Sequence, residues 1–580
     1  MKKFSNEQIS VLEQNKKNRI AQGELDISRM AKKLKNFSNR NLSTTHINYK
    51  IHHLLHDPFT FVNAYAKISK NRGALTKGIK SDSEIMNYFG LSNAKNISEK
   101  FKNNTYFWSP TRRVWIPKPA NKKKCPISTP TQEDQIVQEA VRGILESIYE
   151  PEFREFEKEN DFIATNYGFR PNKSCIQALQ TLQLQGQTSN YVIEGDIIGA
   201  YNNVNHDILL NILSKRIKDK KFISVISSML KAGIMDQKQY EHTLTGTPQG
   251  GIISPILFNI YMFEFDKFVY NGIIKPLIDS YSGIKKRSPL YQKLKSDLDK
   301  YLKLWKNSPN NSIESKKYKV LFLETRKKKM VTPSYDINTL QKKAVYTRYA
   351  DDWVILFTGS ESTSIEYKNL MKNFLESQLK LKLDPEKTIT SKLTKGFQFL
   401  GYSLIMWSTD QIKVARTLSK NKFGIIRAFR RTTSRKLSLR PDKERLLKNL
   451  TLGGFCDSNQ YPIGVRPWSN FDEYDIVLKY RQIMIGIHNY YRNCDSYYIL
   501  NRVNYILKYS CAKTIATRKK ITMSQTFKEY GSELKIEKQI YSSNSVYSKF
   551  VTFPDLKTLN IKPPIPINPS GQEIDPFKIK

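Results

Sequence analysis

The chemistry in this chain concentrates at Tyr349-Ala350-Asp351-Asp352, where two adjacent carboxylates stand at the mouth of the apolar run Trp353-Val354-Ile355-Leu356-Phe357. A continuous run of β-formers reads as a buried strand. Neighbouring aspartates at its end repel each other and resist losing their water unless a cation neutralises them. Mg²⁺, bound through one or two carboxylates and phosphate oxygens, is the common solution. Alone, an Asp-Asp pair would read as a polar turn. Here a second segment, Tyr191-Val192-Ile193-Glu194-Gly195-Asp196, repeats the pattern of an apolar strand ending in a carboxylate, with Tyr201 five residues on. Phosphoryl transfer by two metals needs carboxylates from separate segments, bridging ions roughly 3.5–4 Å apart. Asp196 and Asp351 meet only if their strands are neighbours in one sheet.

Between them lies Thr245-Gly246-Thr247-Pro248-Gln249-Gly250-Gly251-Ile252-Ile253-Ser254-Pro255. Its glycines and prolines allow close backbone approach to a ligand before an amphipathic helix begins, and Gln249 can hydrogen-bond a nucleotide or base pair. The elements that must position these groups form an α/β mixture from about 105 to 405. Within it, residues 267–345 are an insertion-like stretch dense in lysine, including Ile284-Lys285-Lys286-Arg287 and Arg326-Lys327-Lys328-Lys329. Beyond about 410 the pattern becomes helical. Ile476, Tyr480, Ile483, Met484, Ile487 and Tyr491 form one stripe; Leu500, Val503, Leu507 and Cys511 form a second. From about 553 six prolines predict an extended tail.

Lys and Arg number 95 against 53 Asp and Glu, a net charge of +42. Such an excess calls for a polyanionic partner, nucleic acid or an acidic membrane surface. No window approaches the ~20 apolar residues of a membrane span, and the polar start does not read as a signal peptide. The five cysteines are scattered without a Cys-x-x-Cys, which argues against zinc fingers and disulfide scaffolds. His52, His53 and His56 lack further ligands at metal spacing and read as one face of a polar helix.

Taken in order, the Asp196, Gly-Thr-Pro-Gln-Gly-Gly and Tyr-Ala-Asp-Asp elements resemble a reverse transcriptase palm. The resemblance extends through Tyr167-Gly168-Phe169-Arg170-Pro171, Leu383-Asp384-Pro385-Glu386-Lys387-Thr388 and Gly396-Phe397-Gln398-Phe399-Leu400-Gly401-Tyr402. Three later segments, Gly486-Ile487-His488-Asn489-Tyr490-Tyr491, Tyr509–Ala516 and Phe527–Gly531, resemble the maturase domain of group II intron-encoded proteins. Asn71-Arg72-Gly73-Ala74 and Arg112–Lys118 look like that family's N-terminal extension and fingers. The basic insertion looks like that of its mitochondrial-type lineage.

This resemblance implies an α+β right-hand polymerase, with fingers and a palm built on a central antiparallel sheet, followed by an all-helical thumb. It implies an N-terminal extension at 1–100, fingers and palm at 101–410, thumb and maturase domain at 411–535, and an extended Pro-rich tail at 536–580. Asp196, Asp351 and Asp352 would be the catalytic, metal-binding triad for two Mg²⁺, with dNTPs as substrates. Tyr201 would exclude a ribose 2′-hydroxyl; Gln249, Arg170 and Lys118 would line the nucleotide site, and Lys387 and Tyr349 would face primer and template. Lys123 and Lys124 are further candidates in the fingers, and Arg518, Lys519 and Lys520 in the thumb would bind RNA. Asn202 stands where the family often has an acidic residue. Cys125 stands where it usually has arginine, which removes a fingers contact. After residue 535 the Cys pairs and His-Asn-His spacing of an endonuclease module are missing, so second-strand cleavage is not expected.

The implied function is an RNA-directed DNA polymerase that binds its intron RNA, promotes its splicing and supports intron mobility. The alternative is a splicing-only maturase with a silent palm. The expected partners are intron RNA, an RNA template and a DNA primer, with no membrane and with a homodimer left open. The expected location is the mitochondrion, with plastid or bacterial cytoplasm as alternatives.

Overall fold

The computed structural model describes residues 30–43, 45–69, 78, 89–117, 124–236, 239–241, 245–247, 250–280, 286–309, 312–336, 343–407, 413–421, 424–432, 436–542 and 545–554. Its centre is a four-stranded antiparallel sheet with the spatial order Ala344–Tyr349, Asp352–Phe357, Tyr191–Gly195, Thr390–Lys392. The apolar runs read from the sequence occupy the two middle strands. Trp353 to Phe357 are all buried because both faces of the sheet are covered. Alternate side chains part to opposite sides. Ile193, Tyr346, Trp353, Ile355 and Phe357 join one core with the helix Ser254–Val269. Val192, Val345, Val354 and Leu356 join a second core that runs into the C-terminal helices.

Four strands form a separate sheet in the fingers: the hairpin Thr111–Pro117 with Lys124–Thr129, extended by Ile234–Asp236 and Gln239–Glu241. The long helix Gln132–Glu159 follows, its first turn capped by Thr131. The palm closes on Phe397–Phe399 and Tyr402–Trp407, the latter paired with Lys436–Pro441.

Three expectations change. The helical pattern begins at Lys443, not near 410. Residues 413–421 and 424–432 form a β-hairpin ahead of it, in which β-branched residues such as Val414, Ile425 and Ile426 favour strand. The C-terminal region is then helical through Glu473–Tyr491, Tyr498–Lys519 and Met523–Tyr530. It does not pass directly into an extended tail. Ile536–Ser542 and Ser545–Val551 pair as a hairpin that packs on Glu473–Tyr491, with Ile536, Val551 and Phe553 buried; residues 555–580 lie outside the described residues. Finally, residues 267–279 are not inserted. They continue the core helix, with Val269, Ile273, Ile274 and Leu277 buried. What stands apart is a helical hairpin, Pro289–Asn307 with Ile313–Val331.

The two apolar stripes of the C-terminal helices are the ones that pack: Ile476, Tyr480, Met484 and Tyr491 are buried, with Leu500, Val503, Leu507 and Cys511 facing them. Near the N-terminus, His52–His56 lies in a short 3₁₀ turn, Ile51–His56, and His52 is buried against Phe101. The Asn71–Ala74 turn lies outside the described residues.

One glycine fixes the sheet's central register. A Cβ on Gly195 would stand 2.0 Å from the Trp353 ring, which lies directly over it. Gly195→Ala is therefore expected to lower stability by about 1–3 kcal/mol through overpacking. Urea unfolding with indole fluorescence as the probe measures this, and an unchanged midpoint would contradict the packing described.

Candidate active site

The paired register sets the geometry of the carboxylates. Gly195 pairs with Trp353 and Tyr349 with Asp352, so Ala350 and Asp351 form the tight connection. One step beyond the Gly195–Trp353 pair, Asp196 comes beside Asp352. Directly opposed positions in antiparallel strands are about 4.5–5.5 Å apart. Ala350 takes φ +59°, the left-handed value such turns demand and glycine usually fills. Tyr167 and Gly168 back the turn closely; a Cβ on Gly168 would lie 2.4 Å from the Ala350 nitrogen.

The three carboxylates feel one another. Burial raises the Asp351 carboxyl, and the Asp196 charge adds to it. Asp352 is pushed up to about 6, first by burial, then by Asp351 and Asp196. Lys387 offsets part of this: its ammonium hydrogen-bonds Asp196 and lies 3.5 Å from Asp384, and the Asp196 hydrogen bond raises its own pKa. Among the described residues no group of three or more His, Cys, Asp or Glu side chains is arranged to hold a metal ion. Asp196, Asp351 and Asp352 are nevertheless the oxygen donors a hard divalent cation takes, Asp352 at the exposed end of its strand and Asp196 already sharing the Lys387 ammonium.

Tyr201 lies next to this centre. Its ring packs 4.6 Å from Phe258, and its hydroxyl is held protonated by burial and then by the Asp351 charge. The Tyr201 carbonyl accepts from Thr247 N–H at 2.7 Å, which ties the glycine loop to the turn after Asp196. Gly246, at φ +93°, sits so close to Asn202 that a Cβ would meet its carbonyl oxygen at 2.7 Å. Gln249, Lys118 and Lys123 lie outside the described residues. For Lys124 and Cys125 the strand pairing is described, opposite Pro117 and Ile116.

Arg170 requires a correction. Its side chain is 1% exposed and is bound by Glu150 and Glu157, with the Asn166 carbonyl at 3.1 Å. Those partners engage the guanidinium, so Arg170 braces the Tyr167–Pro171 segment on the long helix and does not reach a nucleotide. Tyr349 is half-buried beside the exposed Phe169 ring, at 6.2 Å. In the thumb, Arg518 donates to Glu473 at 2.8 Å and Lys519 is paired with Glu529. Lys520, at φ +56°, ends the helix and is exposed; it lines an open groove with Arg466 and Lys513.

Sequence reasoning missed Arg348. It is as buried as its partner Asp266, donates to both of that residue's carboxylate oxygens at 2.8 and 2.7 Å, and donates to the Ala350 carbonyl at 3.0 Å. Tyr346 donates to Asp266, and Asn259 donates to the Gly168 carbonyl. The signal was present: Asn259 and Asp266 stand seven residues apart on one face of a mostly apolar helix, and Arg348 is a charge in a strand of buried residues.

The thumb is fastened to the turn between Phe397–Phe399 and Tyr402–Trp407, in the neighbouring three-stranded sheet. Tyr402 donates to the Tyr490 carbonyl, Tyr490 to Leu400 at 2.7 Å and Tyr491 to Gly401 at 3.1 Å.

The family model for reverse transcriptase (RNA-dependent DNA polymerase) matches residues 116–282, and that for type II intron maturase matches residues 434–562. The group II intron-encoded protein LtrA of Lactococcus lactis subsp. cremoris is 32% identical over 479 residues, 82% of this chain and 76% of that protein. A putative COX1/OXI3 intron 2 protein of Saccharomyces cerevisiae is 29% identical over 514 residues, 88% of this chain and 56% of its own length. Protein YkfC of Escherichia coli is 30% identical over 361 residues, 61% of this chain and 82% of its own.

Removing Arg348 would leave Asp266 charged and dehydrated. Arg348→Met is expected to cost about 3–5 kcal/mol, read as a lowered urea midpoint. A loss below about 1 kcal/mol would show that the pair does not hold the turn.

Proposed function

Since the chain belongs to the group II intron-encoded proteins, which join a reverse transcriptase to a maturase, we propose that Asp196, Asp351 and Asp352 are its polymerase centre. The observation that carries this is the convergence of three carboxylates from two adjacent strands on one sheet end, beside Tyr201 and the glycine loop. Asp196 and Asp351 would be the main Mg²⁺ ligands, with Asp352 supporting. Mg²⁺ held there would supply activation of the primer 3′-hydroxyl and neutralisation of triphosphate charge. Lys387 reaches into the site from the loop after Asp384, where it balances the carboxylates and lies near the primer. Tyr201 forms the floor under the incoming sugar and selects deoxynucleotides by leaving no room for a 2′-hydroxyl. Gly246 and Gly250, both at positive φ, let the backbone approach the triphosphate. Gln249 and Lys118 are the side chains proposed to meet the nucleotide.

The partners follow from charge and family. A +42 chain holds intron RNA, template and primer chiefly through phosphate contacts, with strongly salt-dependent affinity. Relatives from yeast introns and a mitochondrial protein of Marchantia polymorpha support expression inside a mitochondrion.

Two variants test the reading. Asp351→Asn should lower primer extension on an RNA template by about a thousandfold, equivalent to roughly 4 kcal/mol of transition-state stabilisation, while splicing of the intron stays within about twofold. If the wild type makes no DNA yet promotes splicing, the palm is silent. Tyr201→Ala should raise ribonucleotide incorporation relative to deoxynucleotide by at least about tenfold; an unchanged ratio would remove Tyr201 from the sugar site.

A further inference from the structure

The hairpin Pro289–Asn307 and Ile313–Val331 has features that the polymerase centre does not use. Its first helix has no fully buried residue and its second buries only Ser315 and Thr325. The helices pack on each other, with Trp305 against Phe322 at 5.8 Å, and neither packs comparably on any other described element. Two backbone hydrogen bonds close its base, Ser288 N to the Ser334 carbonyl at 3.2 Å and Asp336 N to the Lys286 carbonyl at 3.0 Å. The unit is therefore a self-contained arm.

Its charge is one-sided. From Pro289 to Val331 there are 12 Lys and Arg against 4 Asp and Glu. Lys293, Lys300 and Lys303 recur at helical spacing on the first helix, away from the Trp305 face, and Lys316 and Lys327 stand three turns apart on the second; all are exposed. Among the described residues no ion pair engages any of them. So many unneutralised cations on a surface that covers no core repel one another, and a polyanion would relieve that repulsion.

The arm's root decides which polyanion. The core helix starts at Ser254, beside the glycine loop, and runs to Asp279, about 38 Å at 1.5 Å per residue. The chain returns at Ala344, which pairs with Phe357 at the end of the sheet opposite the Tyr349–Asp352 turn, about 17 Å from it. Both connections leave the body at the end remote from the carboxylates. A template–primer duplex must lie on the carboxylates, whereas a folded RNA held outside the cleft need not.

We propose that this arm is a phosphate-binding surface for folded intron RNA outside the polymerase cleft, so that gripping the intron and copying a template use separate surfaces. The inference rests on the proposed intron-RNA partnership.

The test uses the full chain carrying Lys293→Gln, Lys300→Gln, Lys303→Gln, Lys316→Gln, Arg326→Gln and Lys327→Gln. A second variant replaces residues 289–333 with a short turn, which the closed base permits. Affinity for in vitro transcribed intron RNA is measured from about 50 to 300 mM KCl, alongside extension of oligo(dT) on poly(rA). The expected result is at least a tenfold loss of intron affinity at 100 mM KCl. The log–log salt slope should flatten by about two or more, as for two or three lost phosphate contacts. Primer extension should stay within twofold. Unchanged affinity and slope in both variants would overturn the inference. So would lost primer extension with intact intron binding, or loss of both in a variant with wild-type circular dichroism, since each places the arm on the template–primer. If the wild type itself binds intron RNA no better than an unrelated transcript of equal length, the partnership fails instead.

Discussion

A guanidinium stripped of water is tolerated only where its donors are satisfied, and Arg348 meets that condition through Asp266 and the Ala350 carbonyl. The arrangement ties three distant pieces of chain together. Asp266 comes from the helix that leads away from the glycine loop, Arg348 from the strand that enters the aspartate turn, and Ala350 from the turn itself. Through Asn259 the same network reaches Gly168, which presses on the back of the turn. With the turn so fixed, Asp351 and Asp352 can be held beside Asp196 although their charges oppose it. Burial chiefly, and then the neighbouring aspartates, raise the Asp351 and Asp352 carboxyls, and the Lys387 contact offsets part of that repulsion.

How far the sequence foretold this depends on the kind of residue. Trp353 to Phe357 and Tyr191 to Gly195 announced buried strands because runs of β-formers have few other stable placements, and a carboxylate ending each run gave away the site. Arg170 misled because its neighbours in sequence suggest a pocket, whereas its partners Glu150 and Glu157 lie on a helix that only the folded chain brings near. Arg518 and Lys519, read as a basic run, pair at the surface with Glu473 and Glu529, partners that only the folded chain brings near. The hairpin at 536–551 escaped notice because its alternation is short and the prolines beyond it dominate the composition. Gln249 and Lys118 keep their proposed roles from the motif alone.

The second core packs the polymerase and maturase segments together. Val192, Val354 and Leu356 from the palm sheet pack in the same cluster as Leu404, Leu439, Tyr480 and Leu507. Tyr490 and Tyr491, read from sequence as maturase markers, make this junction polar and directional by donating to Leu400 and Gly401. The thumb's position thus depends on the sheet that carries the carboxylates. The basic arm, rooted at the other end of that sheet, has no such ties among the described residues.

The proposed mechanism stands or falls on whether Asp196, Asp351 and Asp352 form a single divalent-cation centre. Its most direct test is Mn²⁺ binding followed by electron paramagnetic resonance, with template–primer and an incoming deoxynucleotide present. About two ions should bind to the wild type, and at least one should be lost in both Asp196→Asn and Asp351→Asn, with circular dichroism unchanged. Full Mn²⁺ occupancy in both variants would contradict it.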